Sequence, residues 1–236
     1  MHGSCGTRGL YFRGYGGPGW SDSPECELRQ DRPVLGCRVS TAKGAVLPAG
    51  AQGSSIIIWD GGSGQVTNKL GAHQGHITAI EWVTAGVAGE ALLLTGGQDG
   101  YLRAWDPRQK QCAMEQALHV VQGKGSGAVG TIRSCSASGT VVTAGADCRI
   151  QVTDPRMGLQ PRHTFTEHKD FIYSLEVSGG LCFSGAGDGM LLVHRLADGK
   201  LLYGLGANEH AVRCIGVAEN HLVTSGDDGN AISYSF

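Results

Sequence analysis

Short apolar runs of four to seven residues, separated by glycine-rich turns, fill the chain from about residue 34 onward. CRVS at 37, ITAIEW at 77, IRSCSA at 132, IYSLEV at 172 and VRCIGV at 212 each begin a group of such runs. In the last four groups a second run ends in a turn, as in LLLTGGQDG, VVTAGADC, CFSGAGDG and LVTSGDDG, and a third run follows directly. Runs this short, with alternating character and turn residues between them, predict β-strands, and no stretch sustains the 3.6-residue period of an amphipathic helix. No segment reaches the roughly 18 apolar residues of a membrane-spanning helix.

The groups are copies of one another. Aligned on the turn aspartate, they place Asp99, Asp147, Asp188 and Asp228 at separations of 48, 41 and 40 residues. Four positions before each aspartate stands a hydroxyl residue: Thr95, Thr143, Ser184 and Thr224. Six positions after come Trp105, Thr153, His194 and Tyr234. An earlier copy, AGAQGSSIIIWD at 49 to 60, keeps Trp59 but has no turn aspartate. Two first strands are preceded by a histidine four residues upstream, His73 and His168. A period in this range is the signature of an all-β repeat architecture.

On these residues the chain resembles the WD-repeat β-propeller family over about residues 34–236. The resemblance implies an all-β propeller with about five recognisable blades of four-stranded antiparallel sheet, either complete or shortened. It also implies a structural tetrad of histidine, hydroxyl, turn aspartate and tryptophan. Blade two then carries the whole set, His73, Thr95, Asp99 and Trp105; blade three retains Thr143 and Asp147, blade four His168, Ser184 and Asp188, and blade five Thr224 and Asp228. Ala128 falls at the histidine position of blade three and Asn208 at that of blade five. A buried aspartate is costly unless hydrogen-bonded, and imidazole, hydroxyl and indole supply the partners. A Ser-His-Asp catalytic reading would require several equivalent active sites, so the set is read as structural and the chain as non-catalytic.

The domain is expected over residues 25–236, with residues 1–24 as a flexible glycine-rich segment. CELRQ at 26 to 30 is the candidate outer strand of blade five, since WD-repeat proteins commonly close the ring with their N-terminus.

Composition narrows the functional classes. Net charge is −2 with 17% charged residues, which carries no electrostatic attraction to nucleic acid or to a membrane surface. The eight cysteines form no C-x-x-C pair and read as reduced, structural thiols of a cytoplasmic or nuclear protein. GGQDG, GAGDG and GDDGN lack the lysine and the following helix of a phosphate loop, so no cofactor is expected. His73 and His76 have no neighbouring acidic or thiol ligands, so no metal is expected.

Partner binding is the remaining class. The family resemblance carries its partner-binding rim onto Arg38, His76, Thr78, Gln98, Arg133, Phe171, Tyr173, Arg213 and Asp227. Arginine and tyrosine are enriched at interface hot spots, and arginine pairs well with carboxylate or phosphate. An acidic or phosphorylated peptide is the expected partner. A second surface is offered by two Asp-Pro-Arg tails, Asp106 with Arg108 and Asp154 with Arg156. Residues 93–108 and 141–156 resemble the box by which cullin-4 ubiquitin-ligase substrate receptors bind their adaptor, and that resemblance implies the alternative role of such a receptor.

Overall fold

In the computed structural model, backbone is described for 2–6, 9–13, 26–29, 35–42 and 45–235, apart from 61–62, 64, 72, 86–89, 110, 122–124 and 136–137. Side chains are described from Ala49 onward, except at those gaps and at 52, 85, 90, 121 and 125–126.

The chain is built of antiparallel sheets arranged in sequence order. The first holds β1 (His2–Gly6), β2 (Gly9–Arg13) and β3 (Cys26–Arg29). Blade one follows with β4 (Leu35–Ala42), β5 (Ala45–Gln52), β6 (Ser55–Trp59) and β7 (Val66–Gly71). Blade two is β8 (Ile77–Ala85), β9 (Glu90–Gly97), β10 (Tyr101–Trp105) and β11 (Cys112–Ala117). A two-stranded hairpin, β12 (Val120–Val121) and β13 (Gly125–Ser126), precedes blade three. Blade three contains β14 (Val129–Cys135), β15 (Thr140–Gly145), β16 (Ile150–Thr153) and β17 (Pro161–Phe165). Blade four is β18 (Ile172–Ser178), β19 (Leu181–Ala186), β20 (Met190–Arg195) and β21 (Leu201–Gly206). Among the described residues blade five has three strands, β22 (Val212–Ala218), β23 (His221–Gly226) and β24 (Ala231–Ser235).

One correction concerns closure. Cys26–Arg29 is a strand, but it pairs with β2, so it is not the outer strand of blade five. The same sheet takes β1 and β2 from within the segment expected to be a flexible tail. The only helical element among the described residues is a short 3-10 turn, Pro155–Met157, and none is long and apolar enough to cross a membrane.

Because alternate side chains point to opposite faces of a strand, each blade presents one apolar face to each neighbour. Four buried clusters result. Ile56, Ile58 and Leu70 of blade one meet Ile77, Ile80 and Leu93 of blade two. Equivalent layers join blades two and three, three and four, and four and five. The fit is tight: a methyl on Gly96 or on Gly185 would lie 2.5 Å from Cγ1 of Val129 or Val212, the first apolar residue of the next blade.

The turn between second and third strands requires a left-handed residue. Gly100, Gly189 and Gly229 fill it with φ of 77°, 79° and 77°, but blade three places Cys148 there at φ 63°. A side chain in this region costs about 1–2 kcal/mol. Cys148→Gly is therefore expected to raise stability by about 1 kcal/mol. A higher urea midpoint at unchanged m-value would show it.

Candidate functional site

Blade two contains the complete tetrad. The carboxylate of Asp99 accepts from His73 Nδ1 at 2.9 Å, Thr95 donates its hydroxyl to His73 Nε2 at 2.9 Å, and the Trp105 indole donates to Thr95 Oγ1 at 2.9 Å. Sequence reasoning missed a fifth member: Arg103 donates to Asp99 Oδ2 at 2.8 Å. Burial would raise the Asp99 carboxyl, but Arg103, His73 and the Gln74 N–H outweigh it and hold the pKa at about 2. Burial pushes the His73 imidazole below its usual value, which suits a neutral ring in this chain of bonds.

Blade three has a tetrad histidine after all, and it is not at Ala128. His119 Nδ1 lies 2.8 Å from Asp147 Oδ1 and Nε2 lies 2.9 Å from Thr143 Oγ1. The β12–β13 hairpin is inserted between this histidine and its blade, so counting back from the first strand lands short. Counting forward from the preceding third strand finds it. His73 is fourteen residues after Trp59, His119 fourteen after Trp105, His168 fifteen after Thr153 and Asn208 fourteen after His194. Thr153, at the tryptophan position, donates instead to Val141 O at 3.4 Å.

Blades four and five hold looser versions. His168 Nε2 lies 2.7 Å from Ser184 Oγ, while its Nδ1 has no partner among the described residues; Asp188 accepts from the Met190 N–H at 3.1 Å. Burial lowers the His168 pKa to about 4. His194, at the tryptophan position, is fully buried, stacks on Phe165 at 4.2 Å and reaches Glu167 at 3.3 Å. In blade five Asn208 Nδ2 donates to Asp228 Oδ1 at 3.0 Å, and Thr224 Oγ1 is buried without a partner among the described residues. Thr95, Thr143, Ser184 and Thr224 are all 0% exposed. A hydroxyl sealed in this way cannot attack a substrate, and these networks hold turns in place.

The carried-over rim residues divide between one cleft and one stack. A cleft of about 670 Å³ is lined by His76, Thr78 and Gln98 of blade two, Arg133 of blade three and Tyr173 of blade four. Gln98 Oε1 accepts from the His76 N–H at 3.1 Å, and the Thr78 hydroxyl donates to Gly96 O at 3.2 Å. Phe171 stacks on Tyr173 at 4.5 Å, and the Arg213 guanidinium covers the Tyr173 ring at 3.9 Å. Asp227 in turn clamps Arg213 through contacts of 2.6–2.9 Å. The Arg38 side chain lies outside the described residues.

Pairing register moves Arg133 off the rim. Each first strand carries a bulge after its first residue, so Thr78, Gly130, Tyr173 and Arg213 are equivalent. Arg133 is equivalent to Glu81 and Glu176, one turn of pleat further along the inner strands. Its Nε donates to Glu176 Oε2 at 3.1 Å and its Nη1 to Ile132 O at 3.0 Å. Arg133 thus lies deeper in the cleft, beside a carboxylate of the next blade.

At the opposite ends of the strands, the two Asp-Pro-Arg tails have the same internal geometry. Asp106 Oδ1 accepts from the Arg108 N–H and from its Nε, each at 2.9 Å, and Asp154 Oδ1 accepts from Arg156 in the same way at the same distances. Each arginine thereby locks the turn that presents it, and each holds its aspartate below the usual carboxylate range. Arg156 also donates to Ser138 O at 3.0 Å.

Known proteins share parts of this arrangement. Residues 64–106 match the family described as WD domain, G-beta repeat. This interval takes in the outer strand of blade one and the tetrad of blade two. The match covers one repeat of the chain, which is similar to the WD40-repeat family there. It is 33% identical over 67 residues to the WD repeat-containing protein ATCSA-1 of Arabidopsis thaliana, a match covering 28% of this chain and 14% of that protein. It is 22% identical over 178 residues to a periodic tryptophan protein 2 homolog of Caenorhabditis elegans, covering 74% of this chain and 18% of the relative. The chain therefore spans less than a fifth of the length of these curated relatives. Among solved structures it resembles the computationally designed Ika8 protein, with TM-score 0.74, 21% identity, and coverage of 97% of this chain and 65% of that one. It also resembles the computationally designed Ika4 protein, with TM-score 0.60, 23% identity, and coverage of 70% and 94%. The chain is a β-propeller with five recognisable blades among the described residues, and WD40 repeats are protein-interaction domains.

Proposed function

We propose that this chain is a non-catalytic scaffold of the cytoplasm or nucleus that receives an extended acidic or phosphorylated segment of a partner protein in the cleft over blades two to four. The observation that carries this reading is the placement of Arg133. Its guanidinium lines the cleft with His76, Gln98 and Tyr173 as neighbouring polar groups, and Nε and Nη1 hold it in position. A partner carboxylate or phosphate can approach its outer edge, where a charge-assisted bond is stronger than a neutral one. The Phe171–Tyr173–Arg213 stack beside it supplies a stiff aromatic surface at low entropic cost.

Affinity purification of the intact protein tests the reading. Arg133→Ala and Tyr173→Ala are each expected to reduce partner recovery by about tenfold, the scale of an interface hot spot. Phosphatase treatment distinguishes phosphate from carboxylate recognition. The paired change of Arg108 and Arg156 to alanine leaves this recovery intact if the cleft is the docking face. Recovery lost only in the arginine-tail variant would reject the cleft and favour the alternative role as a cullin-4 ligase receptor.

A further inference from the structure

The outer strands of the four-stranded blades differ in how they guard their free edge. A strand with one unpaired side is a template for another strand, and proteins normally block it with charge or proline. β7 carries Lys69, β11 carries Glu115, and β17 carries Pro161 and Arg162. β21 reads LLYGLG, with no charge and no proline from Leu201 to Gly206. It is also apolar on its surface: Leu201 is 43% exposed and Tyr203 65%. β24 is uncharged too, but its exposed residues are the small Ala231, Ser233 and Ser235.

Side-chain alternation puts Leu201, Tyr203 and Leu205 on one face of β21. Two copies of that strand, placed antiparallel about a two-fold axis through Tyr203, are self-complementary. Tyr203 of one copy then stands opposite Tyr203 of the other, and each Leu201 stands opposite the second copy's Leu205. The result is an unbroken apolar stripe with an aromatic pair at its centre, where cross-strand pairs contribute most. No like charges meet across the axis, and the other face sets Leu202 opposite Gly204. β21 pairs on one side with β20 and is the outermost strand of its sheet, so among the described residues its other edge is free.

We propose that β21 is a homodimerisation edge, joining two copies of this chain through antiparallel β21–β21 pairing into one continuous sheet. The contact is isologous, so it closes at two copies and does not propagate. Pairing at this edge leaves the cleft over blades two to four unobstructed and does not depend on what that cleft binds.

Sedimentation of the full chain across a dilution series tests the edge. A concentration-dependent monomer–dimer equilibrium is expected, and Tyr203→Lys, which opposes two cations at the axis, is expected to raise the dissociation constant by about tenfold or more. Circular dichroism of the variant confirms that the blades remain folded, as the exposure of Tyr203 requires. Register is read by cross-linking. Directly opposed residues have Cα atoms about 4.5–5.5 Å apart, within disulfide range. Tyr203→Cys is therefore expected to give a disulfide-linked dimer under mild oxidation, beyond any formed by the unsubstituted protein. Leu201→Cys alone should not, whereas Leu201→Cys with Leu205→Cys should. A chain that stays monomeric at all concentrations, a dimer indifferent to Tyr203→Lys, or a Tyr203→Cys chain without the added cross-link would each overturn the proposal.

Discussion

Replacing His119 with alanine is expected to lower the stability of blade three by about 3 kcal/mol. The imidazole is fully buried between Asp147, whose side chain is 1% exposed, and Thr143, which is 0% exposed. Truncation leaves a buried carboxylate and a buried hydroxyl without their partner, and breaking a buried pair from one side costs about 3–5 kcal/mol. The ring also fills space: a methyl on Gly145 would lie 2.6 Å from its Nδ1. Amide hydrogen exchange across Thr140–Gly145 provides the local measurement, since a repeat architecture opens in parts. Ala128→Ser, at the position that counting back from the first strand nominates, is expected to change stability by no more than about 0.5 kcal/mol. Equal effects of the two substitutions would refute the assignment of His119.

That residue shows where sequence reading succeeds and where it stops. Thr95, Asp99 and Trp105 are local to one hairpin, so their spacing is set by the turn and is visible in the chain. The histidine belongs to the loop entering the blade, and an inserted hairpin changes its distance from the first strand without moving it in space. Arg133 illustrates a second limit. A bulge in each first strand shifts pairing by one residue, and blade three begins that strand at Val129, so its linear alignment with the other copies is displaced. The sequence alone suggested a rim arginine; the register places it beside Glu176. Arg213 is a rim arginine in the linear sequence, but Asp227, fourteen residues away, clamps it at 2.6 Å.

Acidification from pH 6.5 to pH 4 is expected to destabilise the fold, with His168 contributing about 3 kcal/mol of the loss. In the folded chain burial holds its pKa at about 4, against 6.5 for a solvated imidazole, which represents the unfolded chain. As pH falls, the unfolded chain takes up the proton first, so the contribution is complete above 6.5 and is lost on the way down to 4. His73 and His194 act in the same direction, both being lowered chiefly by burial. Asp99 acts elsewhere: its pKa falls from 3.8 to about 2, so its contribution is present above 3.8 and is lost as pH falls through 2. Urea midpoints at about pH 7.5 and pH 5, on either side of the unfolded imidazole value, measure the effect. His168→Asn, which copies the Asn208–Asp228 contact of blade five, is expected to flatten the profile in this window. An unchanged slope in that variant would remove His168 as its source.

What the amino-acid sequence determined by itself is local and periodic. Runs of alternating residues dictate strands, glycines and aspartates dictate the turns between them, and their recurrence every 40 to 48 residues dictates stacked blades with apolar layers between them. What only the tertiary structure decided depends on contacts between copies. It assigned His119 to blade three, set Arg133 beside Glu176 across 43 positions, and paired Cys26–Arg29 with β2. It also showed that β21 presents Leu201 and Tyr203 along an unguarded edge. The physical reason is that a blade's hydrogen bonds are set by its own turns, whereas its neighbours are set by packing, and insertions and bulges change the residue count between them without changing the packing.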